Sequence, residues 1–412
     1  MRVALINNMN NNFFAFARYL RDMGVDAHVF IIDPLSPHFL PEADTFEDPT
    51  SLSYVHYLDG SALKSLHVGR IVTFIKQLKQ LYADLKTFDL IVACGNLSYL
   101  ALKNIKIDVF MPYGGDAFQA IVQHQLSGRR GLGYLYHRCL AYLQRKAIRD
   151  SRVVVTLGSI DGNVGSALKR LGKTWLEGTI PMVYPLQLPP ASPPWDFLQQ
   201  HDFILFSHTR QSWGNVSDYK GNEKYISAFA RFVKSACQFK QPILVLFEYG
   251  DTVEASKKLV KALAIEQYVC WMPRMLRKDI FFGLSRASLV VDALTDTVAS
   301  FGGVVFESLL QGLPVIGTAK IPNVDPRTHL PLVHAFTEEE VYQILLDYQN
   351  NVEKYKIIGK HSREWFDENI GRQKAAFYKK LFELLIQEPS LSLDSPGFYE
   401  KLHNCSGHMA ST

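Results

Sequence analysis

The chain has 412 residues, with 44 Lys and Arg against 40 Asp and Glu, a formal charge of +4, and 47% hydrophobic and 20% charged residues. That length exceeds one ordinary core and suits two domains of roughly 150–200 residues each, while the composition is that of a soluble globular protein and argues against disorder. No run approaches the ~18 apolar residues of a spanning helix, and the apolar start Met1-Arg2-Val3-Ala4-Leu5-Ile6 meets Asn7-Asn8 too early for a signal peptide, so a cytoplasmic protein is expected.

Short apolar runs alternate with longer helical patterns, the signature of α/β architecture with parallel sheets. In the first half, strands are expected near 2–6, 27–32, 89–94, 107–112 and 152–156. A helix is expected over 61–86, where Ile71, Phe74, Ile75, Leu78, Tyr82 and Leu85 recur at helical spacing. After the first strand, Asn7-Asn8-Met9-Asn10-Asn11-Asn12 stands where a dinucleotide fold would carry GxGxxG, which argues against a nicotinamide dehydrogenase. Asn10, Asn11 and Asn12 are candidates for contact with a sugar or an acceptor. A second candidate loop is Met111-Pro112-Tyr113-Gly114-Gly115-Asp116-Ala117-Phe118. There Gly114 and Gly115 would let the backbone approach a ligand, and Asp116 suits either a sugar hydroxyl or a helix cap.

Charge is concentrated between 103 and 173, where twelve bases face four acids (Asp108, Asp116, Asp150, Asp161), a local balance of +8. Over 131–152, Leu132, Tyr134, Leu135, Tyr136, Leu140, Tyr142 and Leu143 interleave with Arg138, Arg145, Lys146, Arg149 and Arg152. This pattern fits a helix with its apolar side in the core, and it also fits one lying on an anionic bilayer. No stacking motif accompanies the charge, so nucleic acid is not expected. Five scattered cysteines (Cys94, Cys139, Cys237, Cys270, Cys405) without a CxxC pair read as free thiols, and no metal site is expected.

The stretch Pro185 to Pro194 holds five prolines and reads as a stiff connector. It separates domain 1–187 from domain 188–370. The second half repeats the pattern with Phe203-Ile204-Leu205-Phe206, Ile243 to Phe247, Leu289-Val290-Val291 and Pro314-Val315-Ile316. Helices are expected near 222–238, 252–264, 277–285 and 303–312. A last helix, 371–387, carries Phe377, Tyr378, Leu381, Leu384 and Leu385 on one face and is a candidate to pack back across the junction. Residues 388–412 read as a tail whose end, Ser406 to Thr412, has the look of a cloning remnant. Two doubly wound sheets would place ligands at the carboxyl ends of their strands.

The segment Ser300-Phe301-Gly302-Gly303-Val304-Val305-Phe306-Glu307 precedes Gly312-Leu313-Pro314-Val315-Ile316. Glycines at a helix start expose backbone N–H groups to a diphosphate, and an acid one turn in can accept from a pair of sugar hydroxyls. The same residues suit a plain Gly-rich turn with a solvated or capping Glu. Their spacing resembles the nucleotide-sugar motif of family 4 glycosyltransferases, a retaining group with the GT-B fold. The match covers Phe301-Gly302, Glu307 and Gly312-Leu313-Pro314-Val315-Ile316, and it departs at Ala299, where the family has its first Glu. The loop Ser207-His208-Thr209-Arg210, followed by Lys220-Gly221, is similar to the family's Arg and Lys-Gly pair. In the first half, Tyr113 stands at the His-like position of the family's His-Gly-x-Asp turn.

The resemblance implies an α/β GT-B chain of two Rossmann-like doubly wound domains. It implies a glycosyltransferase moving a sugar from a UDP-, GDP- or ADP-linked donor to a glycan or lipid-linked acceptor, in surface polysaccharide or glycoconjugate synthesis. Glu307, Phe301, Gly302, Gly303 and Val304 would bind the donor. Arg210 and Lys220 would stabilise the departing diphosphate without metal or cofactor, and the leaving phosphate would take the acceptor proton. Tyr113, Gly114, Gly115, Asp116 and Asn10–Asn12 would meet sugar or acceptor, and His208 reads as a structural or binding residue rather than a base. A lipid-linked acceptor would bring the protein to the inner face of a membrane. Two other readings of the same fold are a scaffold that has lost catalysis, suggested by Ala299 and Tyr113, and a sugar-nucleotide epimerase.

Overall fold

The computed structural model describes all residues except 33–36, 60–67, 114, 119–130, 157–161, 191–192, 215, 217–218, 296–302, 319–329 and 406–412. The chain forms two compact units, Met1–Tyr184 with Ile370–Thr412, and Pro185–Asn369.

The first unit is built on seven parallel strands: β1 (Arg2–Ile6), β2 (Asp26–Ile32), β3 (Val55–Leu58), β4 (Leu90–Ala93), β5 (Val109–Phe110), β6 (Val153–Thr156) and β7 (Leu176–Glu177). Their order is β3-β2-β1-β4-β5-β6-β7. Central strands are apolar on both faces because helices cover both: Val3 and Leu5 of β1 enter one core, Ala4 and Ile6 the other. The first core is closed by helices Asn12–Asp22 and Arg372–Gln387, whose Phe16 and Tyr378 rings meet edge-on at 5.3 Å. Helices Val68–Leu85, Ser98–Leu102, Gly131–Asp150 and Gly162–Arg170 cover the second.

Two features of this unit differ from the sequence reading. The stretch after 387 is not a tail: Leu391, Leu393, Phe398 and Leu402 are buried in the first core, and Phe398–Cys405 is helical. Arg152 fastens it, donating to the carbonyls of Leu385, Glu388 and Leu391 while paired with Asp108. Strands β3 and β7 escape the sequence pattern because one is a half-exposed edge and the other has two residues.

The second unit holds β8 (Phe203–Phe206), β9 (Pro242–Phe247), β10 (Val269–Met272), β11 (Leu289–Val291), β12 (Val315–Gly317) and β13 (Leu332–His334), all parallel, in the order β10-β9-β8-β11-β12-β13. In each sheet the winding reverses beside the first strand, between β1 and β4 and between β8 and β11. Loops at the carboxyl ends of such strands diverge and leave a crevice. Among the described residues, no helix is long and apolar enough to cross a membrane.

Candidate functional site

At the carboxyl end of β8 the chain continues as Ser207, His208, Thr209 and Arg210, and at the end of β11 as Asp292. Thr209 Oγ1 donates to Asp292 Oδ1 across this reversal point at 2.9 Å. Ser207, His208, Thr209, Gln211 and Ser212 are all buried although polar, so the loop is built rather than merely solvated, because buried polar groups need partners.

Glu307 lies in the helix Gly303–Leu310 and is 6% exposed. Its Oε1 accepts from Arg277 Nε at 2.6 Å and its Oε2 from His208 Nε2 at 2.7 Å. Burial pushes the carboxyl up, but the Arg277 guanidinium and the His208 hydrogen bond outweigh it and hold the pKa at about 2. The carboxylate is therefore an acceptor only, and His208 Nε2 carries the shared hydrogen. The His208 ring is wedged against Phe206 and Phe247, and its Nδ1 is buried with no hydrogen-bond partner among the described residues. Gly303 makes room for this pair: a methyl there would stand 3.0 Å from Glu307 Oε1 and 3.7 Å from Arg277 Nη2. Each carboxylate oxygen keeps a second lone pair on which a ligand hydroxyl can donate.

Arg210 is exposed and Lys220 half-buried. Their loop is closed by Asn222, the first residue of helix Asn222–Ser235. Asn222 accepts from Ser212 N at 2.8 Å and donates to the Arg210 carbonyl at 3.2 Å and the Tyr225 hydroxyl at 2.8 Å. The Lys220 N–H donates to the Ser212 carbonyl at 2.6 Å, and the Lys220 carbonyl accepts from Leu294 N at 2.9 Å, which ties the loop to the β11 end. Two glycines are required here. Gly221 sits at φ +70°, with the Leu294 carbonyl 2.6 Å from where a Cβ would be. Gly250 sits at φ +113°, and a Cβ there would stand 2.3 Å from the Gln211 carbonyl oxygen.

In the first unit, Asp116 uses both oxygens on backbone: Oδ2 accepts from Gly95 N at 2.8 Å and Oδ1 from Tyr113 N at 2.9 Å. It joins the β4 and β5 loops, as a capping acid does, at the start of the short helix Gly115–Phe118. The Tyr113 hydroxyl is buried with no hydrogen-bond partner among the described residues, and burial pushes it well above the usual phenol range. The asparagines divide. Asn11 is fully buried and donates to the carbonyls of His38 and Leu40, so its side chain serves the fold and does not reach for a ligand. Asn12 is also buried, whereas Asn10 is exposed at φ +51°.

Of the residues singled out in the sequence, Phe301, Gly302 and Gly114 lie outside the described residues, as does Ala299. Gly303 and Val304 open the helix that carries Glu307, each half-buried. Sequence reading missed Arg277, Asn222 and Asp292. Only Asp292 carried a signal, an acid directly after a buried strand; Arg277 stands in the ordinary basic run Arg274-Met275-Leu276-Arg277-Lys278.

No family model and no curated protein matches the chain. Solved structures do. The structure of HepE from Anabaena in complex with UDP and glucose is 16% identical, covers 94% of this chain and 100% of its own, and superimposes with a TM-score of 0.59. The fold is GT-B. Sucrose-phosphate synthase from Thermosynechococcus elongatus, 16% identical over 94% of this chain and 99% of its own, has a TM-score of 0.56. UDP-GlcNAc 2-epimerase from Neisseria meningitidis bound to UDP-GlcNAc, 11% identical over 93% of this chain and 100% of its own, has a TM-score of 0.51.

Proposed function

We propose that this GT-B chain transfers a sugar from a nucleotide-sugar donor to an acceptor hydroxyl, with UDP as the nucleotide. The observation that carries the reading is Glu307, an ionised acid fixed by Arg277 and His208 beside the strand reversal of the second unit. A carboxylate so held is preorganised to accept from paired ribose hydroxyls. Arg210 and Lys220, in the loop closed by Asn222, supply positive charge for a diphosphate. The neighbours described with UDP, glucose and UDP-GlcNAc support a uridine donor.

In this reading the bond between the sugar anomeric carbon and the diphosphate oxygen breaks as the acceptor oxygen bonds to the same carbon. The acceptor approaches from the face that the diphosphate leaves, which retains the configuration, and its proton passes to the departing phosphate oxygen, so no separate base takes part. Charge grows on the diphosphate as it leaves, so fixed cations act more strongly on the transition state than on the bound donor, and neither metal nor cofactor is needed. The acceptor is a glycan or a lipid-linked sugar.

An assay of UDP release from UDP-sugars, with and without glycan acceptors, tests this. Release that depends on an acceptor is expected. Because the epimerase neighbours share the fold, acceptor-independent conversion of a UDP-sugar would replace transfer by epimerisation. UDP binding without turnover would leave a binding protein.

A further inference from the structure

The helices over the second core of the first unit have an outer surface that, among the described residues, neither the fold nor the proposed chemistry uses. Val72 and Ile75 on helix Val68–Leu85, Leu102 at the end of Ser98–Leu102, and Leu135 and Tyr142 on Gly131–Asp150 are between 47% and 64% exposed. These helices adjoin: the Tyr82 hydroxyl donates to the Tyr99 carbonyl at 2.7 Å, and Leu97 N donates to Gln144 Oε1 at 2.6 Å. On each long helix the exposed apolar residues share a stripe with bases, at steps of three or four residues or their multiples. Lys76 and Lys79 follow Val72 and Ile75, and Arg138 and Arg149 flank Tyr142.

Along these helices and the turns that end them, Lys76, Lys79, Lys86, Lys103, Lys106, Arg138 and Arg149 are exposed, against two exposed acids, Asp89 and Asp150, among the described residues. Asp150 is already paired with Lys146. The inner sides of the same helices are core, with Phe74, Leu81, Leu100, Ala147 and Ile148 buried. The outward Leu, Ile, Val and Tyr are thus additional to what packing requires.

We infer that this three-helix face docks on an anionic lipid surface. Aliphatic side chains and a tyrosine beside long basic stems suit the boundary between headgroups and acyl chains, where stems lie along apolar surface and the charges reach phosphate. A nucleic acid would leave the exposed Leu, Ile and Val in water. A second copy of the same face would set seven bases against seven. The inference is independent of the chemistry proposed for the second unit, since lipid binding is read without nucleotide.

The test is flotation of the full chain with phosphatidylglycerol–phosphatidylcholine vesicles and with phosphatidylcholine alone. Binding to the anionic vesicles only is expected, weakening as salt shortens the screening length. Lys76→Gln/Lys79→Gln/Arg138→Gln/Arg149→Gln should lose at least about tenfold in vesicle affinity. Ile75→Ser/Leu135→Ser/Tyr142→Ser should lose a similar factor, and both variants should keep wild-type UDP binding. No flotation, equal binding to neutral vesicles, or full binding by the charge variant overturns the inference. So does a dimer in light scattering that the apolar variant abolishes, or tight salt-sensitive binding of single-stranded DNA in place of vesicles. Should the apolar variant not fold, the charge variant and the salt titration decide.

Discussion

Arg277 Nε stands 2.6 Å from Glu307 Oε1, joining the first turn of one helix to an acid thirty residues later in another, with both side chains largely removed from water. A buried pair of this kind is costly to break from one side, because the remaining charge keeps its burial and loses its opposite charge. Arg277→Met is expected to destabilise the protein by about 3–5 kcal/mol. Arg277→Met/Glu307→Leu should recover much of that loss, and urea denaturation of the four proteins of the cycle measures it. Additive losses would show that the two side chains act separately.

The same pair sets a pH dependence. The Glu307 carboxyl is held at about 2, below its ordinary 4.5. A depressed acid stabilises the folded state fully above the ordinary value, and that contribution disappears as pH falls through about 2; its size is about 3 kcal/mol. Carbonyl-carbon NMR of the glutamates should show one resonance titrating near 2 that is lost in Glu307→Gln and moves upward in Arg277→Met. A Glu307 midpoint near 4.5 would mean that neither Arg277 nor His208 holds the ionised form.

Arg210→Ala and Lys220→Ala should lower kcat more than they raise KM, by about 10²–10³ in kcat each, the range for removing a preorganised group that meets developing charge. Steady-state kinetics on the best UDP-sugar separates the two parameters, and activity should persist in EDTA. A change confined to KM would make these residues ground-state binders only, and dependence on magnesium or manganese would reassign their role to a cation.

Glu307→Ala should weaken UDP binding by roughly 1.5–3 kcal/mol, the range for hydrogen bonds to a charged group. Calorimetry below the melting temperature of the variant checks this. Unchanged affinity would leave Glu307 a purely structural acid.

Gly250→Ala and Gly214→Ala form a controlled comparison. Both glycines have positive φ, but a Cβ at Gly250 would strike Gln211 backbone at 2.3 Å, whereas at Gly214 no atom of the other described residues, its chain neighbours aside, lies within 4 Å. Gly214→Ala should cost about 1 kcal/mol from backbone conformation alone. Gly250→Ala should cost several times that and displace the Gln211–Ser256–Trp213 hydrogen bonds beside Arg210. Melting temperatures and the Trp213 emission spectrum report the difference, and equal losses would show that the loop yields freely.

The fold class was legible in the sequence because buried parallel strands must be continuously apolar. Phe203-Ile204-Leu205-Phe206 and Leu289-Val290-Val291 announce themselves without any partner in view. The position of Glu307 in a helix opened by glycine was legible for a similar local reason. Other features depend on residues far apart in the chain meeting in space. Nothing local marks Arg277 as the partner of Glu307, Asn222 as the clasp of the Arg210 loop, or Leu391 and Phe398 as core. Local sequence also leaves the side-chain commitments of Asp116 and Asn11 open, since a polar residue after a strand serves a ligand or a backbone N–H equally well. Packing decided that, by placing the Gly95 and Tyr113 N–H groups against one and the His38 and Leu40 carbonyls against the other. The sequence alone therefore determined the central strands and the longer helices, through periodicity, but not the short or edge strands or the helix after 387; the tertiary structure decided those and which polar groups are spent on the fold, because a buried donor or acceptor is satisfied by whatever the fold brings beside it.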